Sequence, residues 1–223
     1  SSILKIKKHA VIFGASGLIG SLLLQELIRD NRYEKITIFL RKTMSTRHLK
    51  VKEIIIDMHN SKQIGELLEG DEIFCCLGTT IKKAGTQEAF RKVDFELPVM
   101  IGELAKYKNI ENIMVVSSLG ADAKSGNFYL KTKGEMENAL LQMNFKNLKF
   151  FRPSMLLGAR SESRPMETIG KVLMKSLGFL FIGSLKKYKA IEAKTVAKAM
   201  IKAANSPSNQ QFFESDQIES MVK

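Results

Sequence analysis

Residues 11–20 read VIFGASGLIG: a run suited to a buried strand, then glycines at 14, 17 and 20 framing the start of a helix that continues as SLLLQELIRD. The fold turns on whether that stretch only joins a strand to a helix or also cradles phosphate. At the end of a first strand, Gly14 permits a tight turn, Gly17 lets the backbone approach a pyrophosphate, and Gly20 lets the helix pack closely on the sheet. The helix then opens with unpaired amides and the positive end of its dipole aimed at the anion. A glycine triplet alone also suits any tight strand-to-helix turn, so its meaning depends on the rest of the chain.

The rest of the chain alternates. After that helix, which runs to about Asp30, come the apolar runs KITIFL (35–40) and KEIIID (52–57), and a short helix around SKQIGELLEG (61–70). Then come EIFCCLG (72–78), a helix over residues 87–107, NIMVVSS (112–118), a helix from about Phe128, and LKFFRP (148–153). Strands that are apolar throughout and separated by helices imply a parallel sheet covered on both faces. The expected fold is α/β, a doubly wound parallel sheet of the Rossmann type, with ligands beyond the carboxyl ends of its strands. No repeat, low-complexity segment or linker divides the 223 residues. A single domain over 1–223 is therefore expected, with residues from about 154 to 223 forming a helical cap on the substrate side.

Placed after the first strand of such a pattern, the glycines predict dinucleotide binding. An NAD-selective site carries an acid at the end of the second strand, roughly 20 residues on, to bond the ribose hydroxyls. Here FLRK puts Arg41 and Lys42 in that place. Two cations suit the 2′-phosphate of NADP; the other reading is a pair of solvated loop cations. At the next strand ends, Asp57 is placed to flank the adenine, and Leu77 with Gly78 to pass beneath the ribose and pyrophosphate, unless they are ordinary strand termini.

The fifth strand ends in Ser117 and Ser118, and the helix FYLKTKGEME places Tyr129 and Lys133 four residues apart, on one face. A phenol of pKa about 10 needs roughly 4 kcal/mol to titrate near 7. An ammonium about 4 Å away at an effective dielectric of about 20 supplies that much. Lys133 could thus poise Tyr129 as a general acid/base. NADPH would deliver hydride to a carbonyl carbon, Tyr129 would protonate the oxygen, and a serine hydroxyl would hold it. Ser118 suits that role better than Ser117, since the earlier serine is still inside the strand. The bland alternative is an exposed tyrosine beside a solvated lysine.

Together, GASGLIG, CCLGTT, SSLGAD, YLKTK and FRPSMLLGARSESRP resemble the short-chain dehydrogenase/reductase superfamily, and within it the atypical, Tat-interacting-protein-like branch, from about residue 9 to about residue 205. The resemblance implies an NADP-binding Rossmann fold with Ser118, Tyr129 and Lys133 as its active site. It also implies cofactor contacts from Ser16, Gly17, Leu18, Ile19, Arg41, Lys42, Leu77, Gly78, Leu156 and Arg164. One departure matters: ordinary members keep an Asn in the fourth helix to support a proton relay, and RKVDFELP offers Asp94 instead. A carboxylate cannot donate as an amide does. The substitution is a feature of this branch.

The net charge of +12 suits nucleic acid, an anionic membrane surface or a phosphorylated ligand alike. Much of the excess is lysine interleaved with acids on helix faces, and no nucleic-acid-binding motif accompanies it, so no nucleic-acid partner is expected. Cys75 and Cys76 are adjacent and form neither a disulfide framework nor a metal site. They read as small buried hydrophobes in a reducing compartment, and the expected location is cytoplasmic. His9, His48 and His59 make no helix-spaced metal pair. The basic and then apolar N-terminus imitates a signal peptide, but regularly placed glycines break it and it reads as mature structure. No apolar stretch is long enough to span a bilayer. Met166, Ile169, Leu173, Leu177 and Leu180 recur at helical spacing. Core packing is the default for that stripe; a lid over the nicotinamide, a dimer face or a membrane-surface helix are the others. The expected activity is an NADPH-dependent reduction of a small carbonyl compound. The competing expectation is an NADP-binding redox sensor or scaffold with little turnover, engaging a protein partner or a second copy through its cap.

Overall fold

The computed structural model describes residues 6–158 and 183–223. From the amino end the chain forms β1 (Lys8–Phe13), α1 (Leu18–Arg29), β2 (Tyr33–Leu40), β3 (Val51–Ile55), α2 (Ser61–Leu67), β4 (Glu72–Cys75), α3 (Ile81–Ala84) and α4 (Gln87–Arg91). A π-helical turn (Lys92–Glu96) leads into α5 (Leu97–Tyr107), followed by β5 (Asn112–Val116), α6 (Phe128–Leu141), β6 (Asn147–Arg152) and β7 (Leu156–Leu157). The second described stretch holds a 3-10 turn (Gly183–Tyr188), β8 (Ile191–Glu192), α7 (Ala193–Ala204), β9 (Phe212–Glu214) and α8 (Ser215–Val222).

The main sheet has seven strands in the order β3-β2-β1-β4-β5-β6-β9, every neighbouring pair parallel. Strand periodicity splits the core into two layers. In β1, Ala10 and Ile12 face α1, α7 and α8, while Val11 and Phe13 face α2, α5 and α6. Both faces are apolar because both are covered by helices, which is why the strands read as continuous hydrophobic runs. The strand order reverses direction between β1 and β4. That switch point opens a crevice at their carboxyl ends, where ligands of such sheets sit.

Two expectations are adjusted. The helix expected over 87–107 is present as one continuous run but widens to a π turn at Lys92–Glu96, because Pro98 has no amide to give and its ring would press on the carbonyl of Asp94 four residues earlier. The wider π turn, closed by the Leu97 amide on the Lys92 carbonyl, absorbs the strain. The cap from about 154 to 223 is also too broad. Phe212–Glu214 joins the sheet beside β6, its rings stacking Phe150 on Phe212 at 5.3 Å and Phe151 on Phe213 at 5.4 Å. α7 buries Ala193, Val196, Ala197 and Met200 in the layer that contains α1. A three-residue strand is too short to show a period in sequence. The stripe from Met166 to Leu180 lies outside the described residues.

Candidate active site

The glycine turn has the geometry that close phosphate approach demands. Gly14 sits at φ +85°, and a Cβ there would lie 2.5 Å from the Cys76 carbonyl oxygen. A Cβ on Gly20 would lie 2.0 Å from the Gly14 carbonyl oxygen, so α1 passes directly under the turn. Gly17 is less constrained, its nearest such contact being 3.3 Å, and its amide donates to the Gly14 carbonyl at 3.1 Å. α1 starts at Leu18 with no side-chain cap and no acid in its first turn. Amides at Leu18 and Ile19 therefore begin the helix unmatched by any local anion. Ile19 itself is buried, so only its backbone can serve a ligand. Ser16 is exposed at the lip. These features fit a dinucleotide pyrophosphate.

Of the other predicted contacts, Leu77, Gly78 and the segment after Leu156 lie against the same turn. Leu77 and Gly78 leave β4 against the turn, the Leu77 amide lying 2.8 Å from where a Gly14 Cβ would stand. Gly158, just past Leu156 in β7, has no room for a Cβ because Leu18 Cδ1 would be 2.8 Å away, which brings that segment over the start of α1. Arg41 and Lys42 follow β2, both exposed. Asp57 is exposed beyond β3, and its Oδ1 accepts the His59 amide at 2.9 Å, so it also closes its own turn. Arg164 lies outside the described residues.

On the far wall, α6 presents Tyr129 and Lys133. Asn127 caps the helix, its side chain accepting the Leu130 amide at 3.1 Å. Gly134 admits the 122–123 backbone, which would lie within 2.3 Å of a Cβ. Tyr129 is half-buried with its ring 5.4 Å from that of Phe90, and no hydrogen bond holds its hydroxyl among the described residues. Lys133 is buried, and its Nζ meets Asp94 Oδ1 at 2.5 Å. Oδ2 accepts the Thr79 amide at 3.0 Å. Oδ1 is buried with the Lys133 ammonium as its charge partner. A Cβ on Gly78 would come within 3.6 Å of Asp94 Oδ1 and 3.8 Å of Lys133 Nζ, so the pair lies directly beneath that glycine. Burial disfavours the ammonium, but the Asp94 carboxylate outweighs it and holds Lys133 above its usual pKa. Burial also pushes the Cys75 thiol up to about 11, as suits an inert core residue.

The Asp94–Lys133 contact escapes a reading of the sequence. There Asp94 stands only as a replaced relay residue, whereas the π turn points its carboxylate at the ammonium. An ion pair projects a weaker field onto a neighbouring phenol than a lone ammonium does. The serine pair is divided: Ser117 is buried with its hydroxyl donating to Glu137 Oε1 at 2.6 Å, while Ser118 is half-exposed.

A family model described as NAD(P)H-binding matches residues 14–207. Protein HTATIP2 of Rattus norvegicus is 34% identical over 209 residues, covering 92% of this chain and 84% of the relative. The mitochondrial protein FMP52 of Debaryomyces hansenii is 31% identical over 207 residues, covering 90% and 89%. Among solved structures, the Bordetella bronchiseptica enzyme WbmH in complex with NAD+ superposes with a TM-score of 0.69 at 15% identity, covering 97% of this chain and 79% of that one. The Helicobacter pylori ADP-L-glycero-D-manno-heptose-6-epimerase gives 0.69 at 17%, covering 100% and 83%. At such identities these two likenesses are of fold alone. The cytoplasmic expectation is corrected: FMP52 proteins of several yeasts and of Emericella nidulans are named mitochondrial. Among the described residues no helix is long and apolar enough to cross a membrane. The chain belongs to the NAD(P)H-binding family, with HTATIP2 among its relatives.

Proposed function

We propose that the protein is an NADP-dependent oxidoreductase that reduces a small carbonyl compound, with Tyr129 as general acid/base. The observation that carries this reading is the meeting of two independent motifs at one crevice. The glycine turn opens it from the β1 side, and the face of α6 bearing Tyr129 and Lys133 closes it beneath Gly78. When bound, the reduced dinucleotide supplies hydride. The chain's own part is to bind, orient and move a proton. Tyr129, with no partner for its hydroxyl among the described residues, donates a proton to the carbonyl oxygen; Ser118 donates a hydrogen bond to that oxygen; Lys133, fixed by Asp94, supplies positive charge beside the phenol. NADP rather than NAD is favoured because Arg41 and Lys42 stand exposed at the end of β2, and among the described residues no acid pairs with either.

A second reading, an NADP-binding sensor with little turnover, is favoured by one observation. Asp94 neutralises the lysine that would otherwise activate the tyrosine. The two separate on NADPH consumption against a panel of aldehydes, ketones and quinones. If Tyr129→Phe lowers turnover about a hundredfold or more with NADPH binding intact, a general acid has been removed. Equal rates in the two proteins leave the sensor.

A further inference from the structure

α6 carries a third polar residue on the stripe of Tyr129 and Lys133. Glu137 follows Lys133 by one helical turn and is 2% exposed. Ser117 Oγ donates to its Oε1 at 2.6 Å. Arg152, at the end of β6, donates from Nε to Oε1 at 2.9 Å and from a terminal nitrogen to Oε2 at 2.5 Å, a forked contact. The same guanidinium lies 4.3 Å from the ring of Phe212 in β9. One carboxylate therefore ties α6 to the ends of β5 and β6.

Holding the fold together explains this poorly. A buried ion pair is weak as a source of stability, because desolvation offsets most of the attraction and apolar residues of the same volume serve as well. What the cluster does achieve is orientation. The Ser117 amide donates to the Phe151 carbonyl at 2.7 Å, and its hydroxyl is turned inward to Glu137. The chain has left β5 at Val116, and Ser118 follows directly on the residue so held. Ser118 is half-exposed, and among the described residues its hydroxyl has a long 3.4 Å contact to the Leu119 carbonyl.

We propose that Glu137 is a positioning residue of the active site. By holding Ser117 against α6, it selects Ser118 as the serine facing the crevice and sets the spacing between Ser118 and the Tyr129–Lys133 pair. The inference rests on reading those three residues as the reacting set.

The test uses the full chain, wild type against Glu137→Gln, Ser117→Ala and the double variant. Without nucleotide, amide hydrogen exchange is expected to quicken in segments 115–121 and 128–137 of Glu137→Gln while the β1–α1 turn is unchanged; unaltered exchange in both segments overturns the proposal. In turnover with the best substrate of the panel, kcat is expected to fall by about tenfold to a hundredfold. NADPH affinity should stay within about twofold, because the dinucleotide is gripped elsewhere. Ser117→Ala should lower kcat too and add little on top of Glu137→Gln, since both break one contact. A lower Tm with unchanged kcat, or fully additive losses, means a merely structural ion pair and overturns the proposal. Should Glu137→Gln not fold, Ser117→Ala carries both measurements. If Tyr129→Phe leaves turnover untouched, the catalytic reading fails by itself, and the exchange comparison still decides whether Glu137 orders the serine loop.

Discussion

Polar side chains are buried at both edges of the sheet, and the two edges treat them differently. At the amino edge, Glu72 is 1% exposed and fully engaged: the Tyr33 hydroxyl donates to it, as do Lys8 Nζ at 3.0 Å and Asn112 Nδ2 at 2.7 Å. Asn205 donates to the Tyr33 hydroxyl and Asn147 to Asn112, each at 2.7 Å. Each of these donors closes on a protein acceptor. At the carboxyl edge Glu137 is engaged in the same way, by Ser117 and Arg152, but other groups beside it are left open. α1 has no side-chain cap, and Tyr129 has a hydroxyl without a partner among the described residues. Buried polar groups are normally satisfied. The unmatched groups thus mark the part of the carboxyl edge that awaits a ligand, while the amino edge around Glu72 shows none among the described residues. Substitutions at the two edges should accordingly separate stability from binding.

The largest effect is expected from Gly14→Ala. Positive φ costs an alanine about 1–2 kcal/mol, and a Cβ 2.5 Å from the Cys76 carbonyl forces β4 and the turn apart. We expect a loss of about 4 kcal/mol or more in denaturant unfolding, with NADPH affinity lowered more than about a hundredfold. A variant that folds and binds normally would show that the turn is no cradle.

Asp94→Asn comes next, at about 3 kcal/mol, since it leaves a buried ammonium without its counter-charge. Its pH dependence has a definite sign. In the native protein Lys133 titrates above the ordinary 10.5, so its contribution is fully present below 10.5 and lost as pH rises through the raised value. With the carboxylate gone, burial acts alone and pulls the lysine down, so the variant loses stability toward low pH. The gap between the two proteins should be wide at neutral pH and narrow above 10.5; a gap independent of pH would mean that the pair is not an ion pair.

At the closed edge, Glu72→Gln keeps one acceptor but sets an amide against the donors of Lys8 and Asn112. About 2 kcal/mol should be lost in unfolding, with no change in NADPH affinity measured by titration. A change in affinity would mean that the two edges are coupled.

Legibility in the sequence divides along the same line. The alternation of apolar runs and the glycine triplet are local patterns, and they lead directly to the sheet, its two covered faces and the turn. Tyr129 and Lys133 are legible because one helical turn puts them on one face. Asp94 meeting Lys133, and Ser117 turning toward Glu137, depend on a π turn and on strand ends brought together only by the fold; residue spacing carries no trace of either. β9 escapes because three residues cannot display a period, and its two phenylalanines gain meaning only beside Phe150 and Phe151.

The smallest effect tests the choice of cofactor at the open edge. Arg41 is exposed at the end of β2 with no acid partner among the described residues, so removing it should leave unfolding within about 0.5 kcal/mol of wild type. A charged hydrogen bond to the 2′-phosphate is worth about 1.5 kcal/mol or more. Arg41→Ala should therefore weaken NADPH by about tenfold and change NADH by less than twofold. Lys42 stands next to it and would retain part of the preference, so the double variant Arg41→Ala with Lys42→Ala should bind the two nucleotides alike. Wild-type protein that already binds them equally would place these cations in solvent with no role in selection, and the open edge would then accept either dinucleotide through the glycine turn alone.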